Sequence, residues 1–404
     1  MLKIRTFRIP ITPPVGTRLA GYGAFNYSKG IYDELFLSGI AFLYGKKKAV
    51  LLSFDLLGMD ESLISSIRKA CAVELSIKET DVILTCTHTH SGPHTRSTSK
   101  EAMRDLAYSK ELVSLAVKAV SGGFLKMVPV EVYCNSTDVP LNINRRVILQ
   151  GKRFLFLPHH KDKRPLAKGT VDNELGAVYF VKKGGLQPEA VIVNYSAHPL
   201  VSQKRGGRSY LITSDYPGSL RRNLEKNLGG FCLFSTGACG DLHPKYYEGG
   251  FTRMEEMGRL LAKEVSAGFK TALKTPGCKV SDPVVETKSI NVTLKIGKKP
   301  GHSLMPLFAG KKAEKVRVQF LRLGDVCFTG VPGELLAEPG LEIKWNSPFK
   351  WTFILYNSTG YLSYLPHANA YTVGGYEVET SQVKMFEAFK MVSAVIMEFE
   401  KWRS

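Results

Sequence analysis

Residues 37–58 read LSGIAFLYGKKKAVLLSFDLLG: an apolar run, a Gly- and Lys-rich turn, a second apolar run, then Asp55. Aliphatic and aromatic runs flanking such a turn predict a β-hairpin. A helical pattern follows, with Leu63, Ile64, Ile67 and Cys71 on one face behind Asp60 as N-cap. DVILTC (81–86) then reads as a third strand that delivers the polar stretch THTHSG. The same grammar comes twice more. LGAVYFVKKGGLQPEAVIVNYSAHP (175–199) is followed by SDYPGSLRRNLEKNL, where Pro217 suits a first helical turn, and by GFCLFS leading into TGACGDLHP. KVRVQFLRLGDVCFTGVPGE (315–334) is followed by a short helical stretch, then WTFILYN leading into STGYLSYLP.

This repetition places Asp55, His198 and Glu334 at equivalent ends of hairpin strands. It places His88, Asp241 and the Tyr361–Tyr364 segment after the third strands. Polar groups just past strand ends are where sites collect in α/β architectures. Two more stretches carry helical stripes: Met254, Met257, Leu261 and Val265 in one, and 381–402 near the C-terminus. The expected fold class is α/β, with mixed β-sheets flanked by helices and hairpin–helix–strand units delivering loops at strand ends. With no Ser/Gly/Pro-rich linker, residues 1–404 read as a single domain.

Composition excludes several classes. At 44% hydrophobic and 23% charged the chain is ordinary for a globular protein. No apolar run approaches the roughly 18 residues that span a bilayer. The N-terminus, MLKIRTFRIPITPPVGTRLAGYG, lacks a signal-peptide core, so a cytoplasmic protein is expected. Seven cysteines lie scattered without CxxC spacing, which points to reduced thiols and not to a disulfide framework or thiolate zinc site. The net charge of +19 suits nucleic acid, anionic lipid or acidic substrates, but equally a lysine-rich solvated surface. Lys46–Lys48 and Lys298–Lys299 lack the interleaved aromatics of a nucleic-acid platform. No specific nucleic acid is expected, peripheral membrane contact stays open, and oligomeric state is not readable.

Three of the nine histidines, His88, His90 and His94, fall within seven positions. Alternate side chains on an extended backbone share a side, so an HxH pair at a strand end can offer two imidazoles to one cavity. Alone, such a pair is weak, and His198 after a strand or Glu334 at a Pro-Gly turn would each read as structural. Together, imidazoles and a carboxylate from separate strand ends make a catalytic type of zinc site, which keeps a position open for water. Zinc-assisted hydrolysis needs no nucleophilic serine, and GxSxG, HExxH, P-loop and GxGxxG motifs are all missing.

At these residues the chain resembles the catalytic N-terminal domain of the neutral/alkaline, non-lysosomal ceramidases, zinc-dependent N-acylsphingosine amidohydrolases. The resemblance runs through ITPPVGTRLAGYG, FDLLGMD, THTHSGP, NINRR, VDNELGAVYF, NYSAHP, TGACGDLHP, GVPGE and YLSYLP…GGYE. It implies zinc held by His88, His198, Glu334 and Tyr364, the second tyrosine of YLSY. It implies His90 beside the scissile carbonyl as a catalytic group, with Arg145 and Tyr376 at the oxyanion; Arg146 competes with Arg145 for that position. Asp55 and Asp241 would orient ligand imidazoles or loop backbone, and His94 would contact substrate at most. His159-His160 reads as an exposed basic loop, while His243 and His302 carry no signal. The chain departs from the family at His94-Thr95, where glycines are usual, in a shorter Glu334-to-Tyr364 spacing, and in ending without an immunoglobulin-like C-terminal domain. The implied function is zinc-dependent hydrolysis of an N-acyl amide in a small-molecule or lipid-like substrate. Two alternatives stay open: the same core acting on an N-acyl amino acid, peptide or ester, and a non-catalytic polyanion binder.

Overall fold

The computed structural model describes residues 1–21, 26–96, 105–148, 154–156, 167–204, 209–297 and 311–403. His159, His160, His302 and the Lys298–Lys299 run lie outside these residues. The principal elements form three units of one design. The first comprises strands β1 (Leu2–Pro10), β2 (Phe36–Tyr44) and β3 (Lys47–Phe54), helix α1 (Glu61–Leu75), strand β4 (Val82–Cys86) and helix α2 (Leu106–Val120). The second has β5 (Val128–Asp138), β6 (Glu174–Lys182), β7 (Pro188–Tyr195), α3 (Tyr216–Leu228), β8 (Phe231–Thr236) and α4 (Gly250–Lys274). The third has β9 (Val285–Lys295), β10 (Ala313–Leu323), β11 (Val326–Gly330), α5 (Ala337–Trp345), β12 (Trp351–Leu355) and α6 (Glu387–Arg403).

In each unit the first three strands pair antiparallel and the fourth pairs parallel to the third. A parallel pair cannot be joined by a tight turn, so α1, α3 and α5 carry the crossovers. The hairpins turn where glycine supplies a left-handed backbone, at Gly45 (φ +57°), Gly184 (φ +74°) and Gly324 (φ +60°). Strands β1 and β5 pair antiparallel at Lys3↔Pro129 and Ile4↔Val128, joining the first two units into one sheet; the third keeps its own. The expected hairpin–helix–strand units and mixed sheets are therefore present. The sequence reading overlooked the outer strand of each unit, β1, β5 and β9.

Successive side chains on these strands face two different cores. On β6, Val178 and Phe180 join Ile4, Phe42, Leu321, Phe328 and Phe353 in a central core between the sheets. Ala177, Tyr179 and Val181 pack outward with residues of α3 and α4. The stripe Met254, Met257, Leu261 and Val265 is buried in that outer core, and Leu63, Ile64, Ile67 and Cys71 in the first unit's. Burial on both faces explains why these strands read as continuous apolar runs.

The fourth strand of each unit ends in the middle of the molecule, and serine, threonine and asparagine lace these ends together. Thr236 Oγ1 donates to the Thr87 carbonyl (2.7 Å), Thr85 Oγ1 to the Tyr356 carbonyl (3.0 Å), and the Tyr356 N–H to the Thr236 carbonyl (3.1 Å). Ser53 Oγ donates to the Phe234 carbonyl (2.6 Å) and Asn194 Nδ2 to the Ile354 carbonyl (2.9 Å). A second tie joins the first and second units. Asp55, wholly buried, accepts both Arg221 guanidinium nitrogens (2.7 and 2.6 Å) and the Phe36 N–H (2.9 Å). Asp55 thus braces the loop backbone and α3; among the described residues it makes no hydrogen bond to an imidazole. Asp60 occupies the α1 N-cap position, but its side chain caps no helix N–H.

Replacing Arg221 by alanine would leave the Asp55 carboxylate buried without its counterion. The expected loss of stability is about 3–5 kcal/mol, read as a lower urea midpoint; an unchanged midpoint would contradict this tie.

Candidate functional site

The loops beyond these strand ends bring His88, His90, His198 and Glu334 together. One ring nitrogen from each of the three histidines lies within 4.8 Å of the others. The HxH pair does not reach this point on a pleated strand, as the sequence suggested. Strand β4 ends at Cys86, and His88 adopts a left-handed backbone (φ +69°). The turn after the strand brings both imidazoles together, ring centroids 5.0 Å apart, with His198 4.7 Å from His88 and 5.7 Å from His90.

Tautomers follow from the partners. His88 Nδ1 lies 2.6 Å from the Leu57 carbonyl and His198 Nδ1 3.0 Å from the Leu242 carbonyl. A carbonyl can only accept, so each Nδ1 carries the proton and each Nε2 presents a lone pair. Both Nε2 atoms are buried without a hydrogen-bond partner, and both stand 3.5 Å from the same oxygen, Glu334 Oε2. Tyr356 OH donates to that oxygen (3.1 Å), and Tyr361 OH to Oε1 (2.5 Å), which fixes the carboxylate plane.

Three acceptor atoms thus converge, and neither imidazole nitrogen has a proton to give to the others. Burial pushes His198 down to about 4 and His90 well below its ordinary value, so both imidazoles are neutral at neutral pH. Burial alone would raise the Glu334 carboxyl, yet His88 and His198 hold it well below the usual carboxylate range. A cation between the three atoms would supply the positive charge that a buried carboxylate demands. Tetrahedral zinc with ligand bonds of about 2.0–2.1 Å needs ligand atoms about 3.4 Å apart, and 3.5 Å meets that. The donor set fits a divalent transition metal.

Tyr364 is the register partner of Glu334 in a short parallel strand pair, buried among the site tyrosines. The Arg145 guanidinium lies 5.5 Å from the centroid of the Tyr364 ring, and burial raises the Tyr364 hydroxyl well above an ordinary tyrosine. Tyr376, 44% exposed, stands at the site's mouth with its ring centroid 5.5 Å from that of Tyr364. Arg145 is held on three sides: Nε donates to Glu377 Oε1 (2.6 Å), and the terminal nitrogens to His243 Nε2 (2.9 Å) and the Gly240 carbonyl (2.8 Å). Arg146 donates to the other Glu377 oxygen and to the Gly374 carbonyl (2.9 Å). One buried carboxylate therefore ties both arginines to the segment that carries Tyr376.

Asp241 braces this corner, and among the described residues it makes no hydrogen bond to an imidazole. It accepts from the Ala337 N–H at the start of α5 (2.8 Å) and from Asn144 Nδ2 (2.8 Å), and burial lifts its carboxyl to about 6. His94 stands apart from the cluster. It is buried, pushed down to about 4 by burial, and lines a separate cavity with Pro14, Arg18, Tyr27 and Asp105. Sequence reasoning missed Tyr356, Glu377, His243 and Arg96. Tyr356 closes a third strand and Glu377 adjoins Tyr376 in GGYE, both readable signals; His243 and Arg96 gave none.

No protein-family model matches the sequence, and no curated protein does. Solved structures do. The neutral ceramidase of Pseudomonas aeruginosa superimposes with a TM-score of 0.73 at 14% identity, covering 98% of this chain and 73% of that one. A structure described as ceramidase complexed with C2 gives a TM-score of 0.74, also at 14% identity, covering 98% and 74%. The fold is that of the neutral ceramidases. The similarity implied by the sequence motifs is therefore matched in three dimensions along nearly the whole chain. Among the described residues, no helix is long and apolar enough to cross a membrane.

Metal-free protein is expected to bind one equivalent of divalent zinc or cobalt and to gain about 2.7 kcal/mol of stability at a hundredfold excess over Kd. His198→Ala should lose both the stoichiometric binding and the thermal shift. Retention of both would remove His198 from the centre.

Proposed function

We propose that the protein is a zinc-dependent hydrolase of N-acyl amide bonds, ceramidase-like in chemistry, with residues 1–404 acting as one catalytic domain. The observation that carries this reading is the convergence of two buried imidazole lone pairs, neither with a hydrogen-bond partner, on one buried carboxylate oxygen. His88, His198, Glu334 and Tyr364 would hold the ion. Zinc, when bound, supplies an acidified water and a polarised carbonyl. The ceramidase structures that share the fold support amide cleavage, because ceramide is itself an N-acyl amide.

The remaining chemistry belongs to the chain. His90, kept uncharged by burial and packed beside the other two imidazoles, would take a proton from the attacking side and return it to the leaving amine. Arg145 is locked by three fixed partners, so any N–H it turns to the developing oxyanion is already oriented before reaction. Tyr376 brings a hydroxyl from the open side, where substrate must enter. Glu377 keeps Arg145 and Tyr376 in mutual register through its ion pairs.

Tyr376→Phe deletes only a hydroxyl from a half-exposed residue. It should keep one zinc per chain while kcat falls by about 10²–10³. His90→Ala should also keep zinc and lose about 10²–10⁴. Product release from ceramides, N-acyl amino acids and acyl peptides, with and without chelator, tests the reading itself. No hydrolysis of any amide by zinc-loaded protein, or full activity of His198→Ala, would overturn it.

A further inference from the structure

Three arginines surround the site, and two are neutralised. Arg145 and Arg146 share the Glu377 carboxylate. The third, Arg96, has a different situation. It is 8% exposed, its Nε is buried without a hydrogen-bond partner, and among the described residues no carboxylate pairs with it. Its guanidinium lies 3.8 Å from the centroid of the Tyr361 ring, a stack that fixes it in place. Tyr361 in turn donates to Glu334, so the cation stands one aromatic ring away from the proposed ion ligand. Its field reaches His90, and Glu334, Tyr361, Tyr364 and Tyr376 all act on it.

Holding a cation out of water without a counterion costs several kcal/mol. A divalent ion beside one carboxylate adds further positive charge. Among the described residues, the carboxylate nearest Arg96 through the Tyr361 ring is Glu334, which the ion would also claim, so an anion from the substrate would be accommodated there. We propose that Arg96 is a specificity-determining residue that pairs with a carboxylate carried by the substrate near the scissile amide. This rests on the hydrolase reading above. Guanidinium and carboxylate match as a two-pronged pair, which a neutral amide or a sphingoid hydroxyl cannot reproduce. The carboxylate sits either on the leaving amine, as in an N-acyl amino acid, or on the acyl part, as in the half-amide of a dicarboxylic acid.

Matched substrates test this with the zinc-loaded protein. N-lauroylglycine is compared with N-lauroylglycinamide, and the mono-N-butylamide of dodecanedioic acid with its ω-carboxamide. Each is assayed with wild type, Arg96→Gln and Arg96→Lys. The quantity read is the ratio of kcat/KM for carboxylate over carboxamide within each variant, so general damage from a substitution cancels. Wild type should favour the acid of one pair by about 10- to 100-fold, mainly through KM, as charged hydrogen bonds imply. Arg96→Gln should bring that ratio to about one, and Arg96→Lys should keep part of it. The pair that responds locates the carboxylate. Calorimetric binding of N-dodecylglycine, which has no amide to cleave, gives a reading independent of turnover; about tenfold or more weaker binding to Arg96→Gln is expected. Equal ratios in wild type and Arg96→Gln in both pairs, or a wild-type preference for the carboxamides, overturn the inference while leaving the hydrolase reading intact. If none of these amides is cleaved, and no ceramide or acyl peptide either, the hydrolase reading falls. The binding comparison then decides the anion site alone: a difference upholds it and equal affinities overturn it.

Discussion

The constraint on which the structure rests is the need to satisfy the backbone of three buried strand edges. β4, β8 and β12 each pair on one side only within their own sheets, and an edge buried without partners for its carbonyls is costly. Here the other units answer it. Hydroxyls and an amide from Ser53, Thr85, Asn194 and Thr236 reach carbonyls of a neighbouring unit's strand, and the Tyr356 N–H does the same. These polar links hold three sequence-distant strand ends in one place. Part of the site is hung from the loops that leave them, His88 and His90 after β4, Asp241 after β8, and Tyr361 and Tyr364 after β12, while His198 and Glu334 follow the neighbouring strands β7 and β11.

Scaffold and chemistry are divided unequally among the units. The first supplies two imidazoles, the second an imidazole and a bracing aspartate, the third a carboxylate and the tyrosines. At positions where the first unit uses Asp55 as half of a buried ion pair, the second and third use His198 and Glu334 to line the cavity. A repeated frame can carry different side chains at equivalent strand ends because packing needs are met by the strands behind them. What the loops must conserve is direction, and neighbouring contacts supply it: Leu57 and Leu242 carbonyls for the rings, Tyr356 and Tyr361 for the carboxylate.

Much of this was legible in the chain. The hairpins, crossover helices and third strands were readable because glycine turns and apolar runs mark them locally. His88, His198 and Glu334 were readable because each stands at the end of such a run. The outer strands β5 and β9 were not, since VPVEVYCNSTD and VETKSINVTLK mix polar and apolar residues on half-exposed surfaces. The geometry of the HxH pair was misjudged because only tertiary packing shows that the backbone leaves the strand at Cys86 and turns left-handed at His88. The ion pair of Asp55 was not readable for a similar reason: its partner, Arg221, lies in a helix of another unit. Arg96 gave no signal, because in sequence a buried cation looks like any surface arginine.

The laced strand ends also bear on how the chain is made. A chain emerging from the ribosome can close its first unit around α1 and α2 well before β8 and β12 exist. Until then β4 offers hydrogen-bonding groups along a finished strand with nothing to receive them. The seam that later surrounds the cavity is, during synthesis, an adhesive edge, open to pairing with any other growing chain. The hydroxyls placed along these strands thus serve two periods in the protein's life: they close the seam once the last unit arrives, and their timing decides how long it stays open.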